Sequence, residues 1–190
     1  VEFRLLPFKA ENRYARIVRE QIELPHAASR ARLDLLWSPG YTAPVVAPCP
    51  QVVTIHDMQY KSHPDDLTRL ARWVTHALVL IGSRRCKRIL TVSEFAKRDI
   101  VRHTGVAWRR VCATPLAANQ TYAQVRSREA LARVREQLLR FSEPYLLCVS
   151  NTYPHKNVPL LVHAFDQVAT KTAHRLVLVG RPRLGEPALQ

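Results

Sequence analysis

The stretch PYLLCVSNTYPHKNVPLLVHAF, residues 144–165, decides the fold. Its opening, PYLLCVS, is an apolar run of strand length and predicts a buried strand. Beyond the turn, VPLLVHAFDQVA spaces its apolar residues as a helix does. Between the two stand His155, Lys156 and Asn157 in a row, with Pro154 and Pro159 on either side, so a basic pair occupies a strand-to-helix turn. In α/β sheets such turns lie at the carboxyl ends of the strands, where ligands collect. A helix amino terminus adds free N–H groups and the positive end of a dipole. A phosphate suits such a place.

Outward from that stretch, strand and helix signals alternate. HRLVLVG reads as a last strand; upstream come the helix REALARVREQLLRF, a polar linker over 119–127 and a short strand within RRVCATPLAAN. Before these, SEFAKRDIVRHTG reads as a helix with Ser93 as N-cap and Gly105 as its close, preceded by the strand RILTVS. A longer helix is predicted from Leu67 to about Lys87, where Leu67, Leu70, Ala71, Val74, Leu78 and Ile81 recur at helical spacing. The earliest signals are a strand from Leu33 to Trp37, ending in a turn at Pro39 and Gly40, and the strand QVVTIHDM with polar residues at its carboxyl end. Alternation of this kind predicts an α/β fold with parallel sheets of Rossmann type.

Composition narrows the function classes. With 190 residues, 47% of them hydrophobic, the chain has material for an ordinary core. The apolar run from Ala77 to Ile81 is far too short to span a bilayer. The start, VEFRLLPFKAENRY, has neither a signal-peptide run nor an initiator Met, which predicts that the chain begins inside a longer protein. Cys49, Cys86, Cys112 and Cys148 stand singly, with no Cys-x-x-Cys pair and no His at metal spacing. They read as reduced thiols of a cytoplasmic protein, not as a zinc site or a disulfide framework. Charge is the outlier: 29 Lys plus Arg against 15 Asp plus Glu gives +14, a surplus that implies a polyanionic neighbour, whether nucleic acid, an anionic membrane or phosphorylated ligands. Arg predominates over Lys, which also fits a GC-rich coding bias.

With these pieces in order, the sequence resembles the glycosyltransferases of family 4, enzymes of the GT-B fold that take sugars from nucleotide-sugar donors. The resemblance rests on DLLWSPGYTAP, VVTIHDMQY, ILTVSEFAKRDIVRHTGV with TPLAAN after it, and PYLLCVSNTYPHKNVPLLVHAF followed by RLVLVG. It implies parts of two Rossmann-like parallel-sheet domains. Residues 1–121 would be the later part of the N-terminal, acceptor-side domain, and 122–190 the opening of the C-terminal, donor-binding domain, with both ends of the enzyme missing. The implied reaction is retaining, metal-independent hexosyl transfer from a nucleotide-diphosphate sugar to a glycan or lipid-linked glycan, as in polysaccharide biosynthesis. The donor is a substrate, so no cofactor and no metal is expected.

The resemblance also assigns residues. Lys156 and His155 would hold the donor diphosphate, with Asn151 beside them as a further donor to phosphate. A fixed ammonium there stabilises the transition state more than the ground state, because negative charge grows on the departing diphosphate. The family often has Arg at the position of His155, and imidazole is only partly charged near neutral pH. His56 would lie near the transferred sugar and bond a hydroxyl, since in retaining enzymes of this fold the departing phosphate takes the acceptor proton. Asp57, Tyr41 and Gly40 would shape the acceptor side. His56 also reads as a polar strand end packed by its neighbours, while a His-Asp metal hydrolase is disfavoured by the strand context. Two features of the family are absent: no two glutamates stand eight positions apart, and the five glycines are dispersed without a glycine-rich loop.

Arg69, Arg72, Arg84, Arg85, Lys87 and Arg88 lie on and after one predicted helix of the acceptor domain. They read either as a solvated face or as a surface for anionic lipid headgroups, which would place the protein peripherally at the inner face of the membrane. Nucleic acid is not expected, because Trp73, Trp108 and Tyr122 are not interleaved with the charge as a stacking platform. A non-catalytic basic binding module of the same fold is the alternative to an enzyme. As an isolated fragment the chain is expected to transfer no sugar and to aggregate through an open sheet edge.

Overall fold

Four short strands form a wholly parallel sheet in the order β1 (Leu36–Ser38), β2 (Gln51–Thr54), β3 (Arg88–Thr91) and β4 (Val111–Ala113). The register sets Ser38 against Val53, Thr54 against Leu90 and Thr91 against Ala113, so the strands end level with one another. The computed structural model describes residues 13–119, 121, 122, 124 and 127–182, which belong to two units, Val1–Ala117 and Ala118–Gln190.

In the first unit α3 (Arg69–Arg85) packs on β2, and α4 (Glu94–Thr104) packs on β3, β4 and α3. Between sheet and helices lies a core that includes Val53, Ile55, Met58, Val79, Cys86, Ile89, Ile100 and Val111. Burial pushes the Cys86 thiol up to about 11, against the opposing charge of Arg110, which makes it an inert core side chain at neutral pH. The helix ends agree with the sequence. Ser93 Oγ accepts from the Ala96 N–H at 3.0 Å, and Gly105 closes α4 at φ 70°. Thr68 caps α3 in the same way at 3.3 Å. At the other end of α3 the Arg110 guanidinium donates to the carbonyls of Ser83 (2.9 Å), Arg84 (3.1 Å) and Cys86, which the helix itself cannot satisfy.

Two features of this unit differ from the sequence reading. Helix α1 (Arg13–Arg30) precedes the sheet where no element is predicted; Pro25 lies inside it and deprives the Gln21 carbonyl of its helical donor. Strand β1 begins at Leu36 instead of Leu33, with Leu33 and Leu35 in solvent, Trp37 exposed and the polar Ser38 buried. Trp37 is held there by its indole N–H, which donates to Thr54 Oγ1 at 3.0 Å.

The second unit begins with α5 (Arg128–Val134), capped by Ser127, and continues through a π-helical turn at 135–139 that stops at Arg140, φ 57°. Strands β5 (Tyr145–Val149) and β6 (Arg175–Val179) pair in parallel, joined by α6 (Val158–Ala169). The apolar run of β5 is not the buried strand that its composition predicts. Among the described residues its sheet has two strands and α6 packs on β6, so Leu146, Leu147 and Val149 remain exposed.

Candidate functional site

At the carboxyl end of β1 the chain turns sharply through Pro39, Gly40 and Tyr41. Tyr41 adopts φ 58°, a left-handed conformation that a bulky side chain rarely takes. The turn is held from several sides. The Tyr41 N–H donates to the Thr54 carbonyl at 2.9 Å, and Thr42 Oγ1 donates to the Glu20 carboxylate at 3.1 and 3.2 Å. Gln21 bonds it twice more, donating to the Ala43 carbonyl at 3.3 Å and accepting from the Val45 N–H at 2.8 Å. Burial raises the Glu20 carboxyl above its ordinary range, opposed by the Thr42 hydrogen bond and the Arg16 charge. The helix that sequence reasoning missed therefore anchors the loop on which Tyr41 sits.

The end of β2 supplies His56 and Asp57, and the structure brings both to Tyr41. The His56 ring meets the Tyr41 ring edge-on at 5.7 Å between centroids. Its Nε2 lies 3.1 Å from the Pro39 carbonyl; a carbonyl only accepts, so Nε2 carries the proton and Nδ1 is the atom left for a ligand. Asp57 accepts from the Gln59 N–H at 2.9 Å and is hydrogen-bonded to the Tyr41 hydroxyl. Burial, then the Asp57 hydrogen bond and charge, hold the Tyr41 phenol far above its ordinary value, so it stays protonated as the donor to Asp57. Gly40 is exposed beside them, and a Cβ there would meet nothing. Of the residues expected on the acceptor side, Tyr41 and Asp57 thus stand together with Gly40 exposed beside them, and His56, expected near the transferred sugar, packs its ring against Tyr41.

In the second unit the basic pair sits on a 3₁₀ turn, Pro154–Lys156, just before α6. Lys156 is exposed, and the half-buried His155 ring stacks on Tyr153 at 5.7 Å. Asn157 then takes φ 50° and ψ 39° and lets the chain enter α6, where it makes no side-chain cap. The turn after β5 runs close to Gly180: a Cβ there would collide with the Ser150 carbonyl, so only glycine fits. The Asn151 Oδ1 accepts from the Arg181 N–H at 3.0 Å, which commits its oxygen and leaves its Nδ2 hydrogens as the donors. Gly180 is a residue of this turn that its place after an apolar strand signals and that the motif reading did not single out.

The cations assigned to a lipid face separate into two groups. Arg69 and Arg72 lie about 18 to 24 Å along α3 from Arg84 and Arg85, at 1.5 Å rise per residue. Arg84, Arg85, Lys87 and Arg88 instead gather with Arg109 and Arg110 around a hollow at the amino ends of β3 and β4. Among the described residues no cluster of His, Cys, Asp or Glu could hold a metal, and no helix is long and apolar enough to cross a membrane.

A family model described as Glycosyltransferase Family 4 matches residues 1–119. The chain is similar to the O-antigen chain mannosyltransferase B of Escherichia coli, at 27% identity over 132 residues, which make up 67% of this chain and 33% of that protein. Its fold is similar to that of Anabaena HepE in complex with UDP, with a TM-score of 0.55 at 14% identity over 88% of this chain and 52% of that one. A glycosyltransferase from Rickettsia africae gives a TM-score of 0.50 at 13% identity over 97% of this chain and 55% of that one. The chain therefore spans about a third of the mannosyltransferase and about half of each solved relative.

Proposed function

The chain belongs to glycosyltransferase family 4 and has the α/β, parallel-sheet architecture of the GT-B fold, and from that premise we propose that it is part of a retaining hexosyltransferase. The enzyme moves a sugar from a nucleotide-diphosphate sugar to a glycan or lipid-linked glycan. The observation that carries this reading is the cluster at the carboxyl end of the parallel sheet, where Tyr41, held at positive φ, meets the His56 ring and the Asp57 carboxylate. Residues 1–121 act as the later part of the acceptor-side domain and 122–190 as the opening of the donor-binding domain. The likeness to a protein crystallised with UDP supports a nucleotide donor.

In this mechanism His56 contributes a hydrogen bond through Nδ1 to a sugar hydroxyl, its orientation fixed by the Pro39 carbonyl. Tyr41 and Asp57 hold the loop and the strand end at a set distance. The departing diphosphate takes the acceptor proton, so no side-chain base is required. Lys156 sets its ammonium beside the diphosphate, where the growing charge makes it worth most in the transition state, and His155 and the Asn151 amide complete the contact. Neither a metal nor a cofactor enters these steps.

The test is Lys156→Ala in the assembled enzyme, with turnover and melting measured together. Loss of one such electrostatic contact lowers turnover by roughly a hundredfold to a thousandfold, about 3 to 4 kcal/mol. Melting should be unchanged, because Lys156 is exposed. Wild-type turnover would overturn the phosphate role. A second reading, peripheral attachment at a cytoplasmic membrane face, is favoured by the gathering of Arg84, Arg85, Lys87, Arg88 and Arg109 at one end of the sheet.

A further inference from the structure

Beside the Tyr41–His56–Asp57 cluster lies a small hollow of about 270 Å³, lined by Tyr60, Lys61, Pro64, Arg72, Trp73 and His76. It adjoins the site directly: α2 (Gln59–Ser62) starts two residues after Asp57, and the Gln59 N–H is tied to the Asp57 carboxylate. We propose that this hollow is a phosphate subsite, so that the acceptor of this enzyme carries a phosphate or diphosphate, held by Lys61, Arg72 and His76. The proposal rests on the glycosyltransferase reading and names the class of acceptor.

The chemistry of the walls points to an anion. Lys61 and Arg72 are half-buried, and among the described residues neither forms an ion pair. Two neighbouring carboxylates are engaged elsewhere: Asp57 bonds Tyr41 and Gln59, and Asp66 accepts from Gln59 Nε2 at 2.8 Å. From Leu67 to Ser93 the sequence contains no acidic residue. Among the described residues that line the hollow there is no carboxylate; cations gathered in this way repel one another, and a multivalent anion relieves that repulsion.

The floor is built. Tyr60 is buried and its hydroxyl lies 3.2 Å from His76 Nδ1, which fixes the imidazole and leaves Nε2 as its other polar atom. Lys61 Nζ stands 6.0 Å from the Tyr60 ring centroid, on the same wall. Burial first, then the charges of Lys61 and His103, hold His76 below the ordinary histidine range, as expected of an imidazole among uncompensated cations. At about 270 Å³ the hollow has room for a phosphate group. Trp73, 70% exposed at the rim, offers an indole face against which the sugar joined to that phosphate packs.

The test is equilibrium dialysis of the protein against radiolabelled inorganic pyrophosphate, with melting followed on every variant. Lys61→Gln/Arg72→Gln should weaken binding at this site at least about tenfold, the loss expected of two charge-assisted contacts. Arg84→Gln/Arg85→Gln at the far end of α3 should leave it unchanged, and Lys156→Ala should remove only a separate class of site. Arg72→Lys keeps the charge and should retain most of the binding, which guards against a loss through misfolding. Equal weakening by both double variants would show diffuse attraction and overturn the subsite, as would wild-type binding by Lys61→Gln/Arg72→Gln. Pyrophosphate bound here by an assembled enzyme that transfers sugar from no nucleotide-sugar would sink the transferase reading and leave the anion site standing. Transfer to phosphate-free and phosphorylated acceptors with the same KM, unaffected by Lys61→Gln/Arg72→Gln, would do the reverse.

Discussion

In the first unit Val53, Ile55, Ile89 and Ile100 have no exposure at all, enclosed between a four-stranded sheet and the helices α3 and α4, whereas in the second unit Leu146, Leu147 and Val149 of β5 are 50%, 55% and 73% exposed. The two sets have similar side chains, and both lie on or beside parallel strands. What differs is cover. A strand buries its apolar residues only when something packs on each face, and among the described residues β5 has a single strand partner. Apolar content measures what a strand is able to bury, and packing decides how much of it is buried.

The sharpest way to break this comparison is to cut one side chain from each unit. Ile100→Ala leaves a cavity in a closed core and should cost about 2 to 5 kcal/mol, because the surrounding helices and strands relax only in part. Leu147→Ala removes atoms that already touch water and should shift stability by less than about 0.5 kcal/mol. Urea denaturation of both variants checks the pair. A Leu147→Ala loss as large as that of Ile100→Ala would mean that β5 is as well covered as the first sheet.

The site loops differ in the same spirit. In the first unit Tyr41 is held by side chains from elsewhere: Glu20 and Gln21 of α1 grip Thr42, Ala43 and Val45, and Asp57 takes its hydroxyl. In the second unit the turn carrying His155 and Lys156 is shaped by the backbone, through a 3₁₀ turn and the left-handed Asn157. Gln21→Ala removes two hydrogen bonds from the Tyr41 loop and should cost about 1 to 3 kcal/mol, at roughly 0.5 to 1.5 kcal/mol for each. Because the loss falls on the loop, acceptor KM should rise more than kcat falls. An unchanged KM alongside a lowered melting temperature would leave α1 a purely stabilising role.

The same division separates the elements that were legible in the sequence from those that were not. Local signals with a backbone cause gave correct elements: Ser93 and Gly105 bound α4, and the apolar spacing of 158–169 is α6. The family and the fold were legible because four motifs at strand ends keep their order along the chain. Helix α1 was not legible, since Pro25 interrupts its pattern and its worth lies in contacts more than twenty residues away with Ala43 and Val45. The start of β1 was misread because its hydropathy is inverted: Trp37 faces water to bond Thr54, and Ser38 is buried. The basic residues of α3 read as one face because sequence spacing shows neither the end to which each cation belongs nor that Arg110 closes the helix.

Asn157 gives the smallest effect and the finest distinction. Its position before α6 suggests a side-chain cap, in which case Ser, Asp or Thr would replace it with little loss. The structure shows instead a left-handed residue whose side chain caps nothing, while its carbonyl accepts from the N–H groups of Leu160 and Leu161. The reason for asparagine is then conformational: it enters the left-handed region more readily than any residue other than glycine, and an ordinary side chain placed there costs about 1 to 2 kcal/mol. Asn157→Ser and Asn157→Ala should therefore be destabilising to a similar extent, by about 1 kcal/mol, and Asn157→Gly should be close to neutral. Serine matching wild-type melting while alanine falls would restore the capping role. Because the strain acts on the turn and not on the Lys156 charge, turnover in Asn157→Ser should fall only with the folded fraction, which separates it from the loss of rate at constant melting expected of Lys156→Ala.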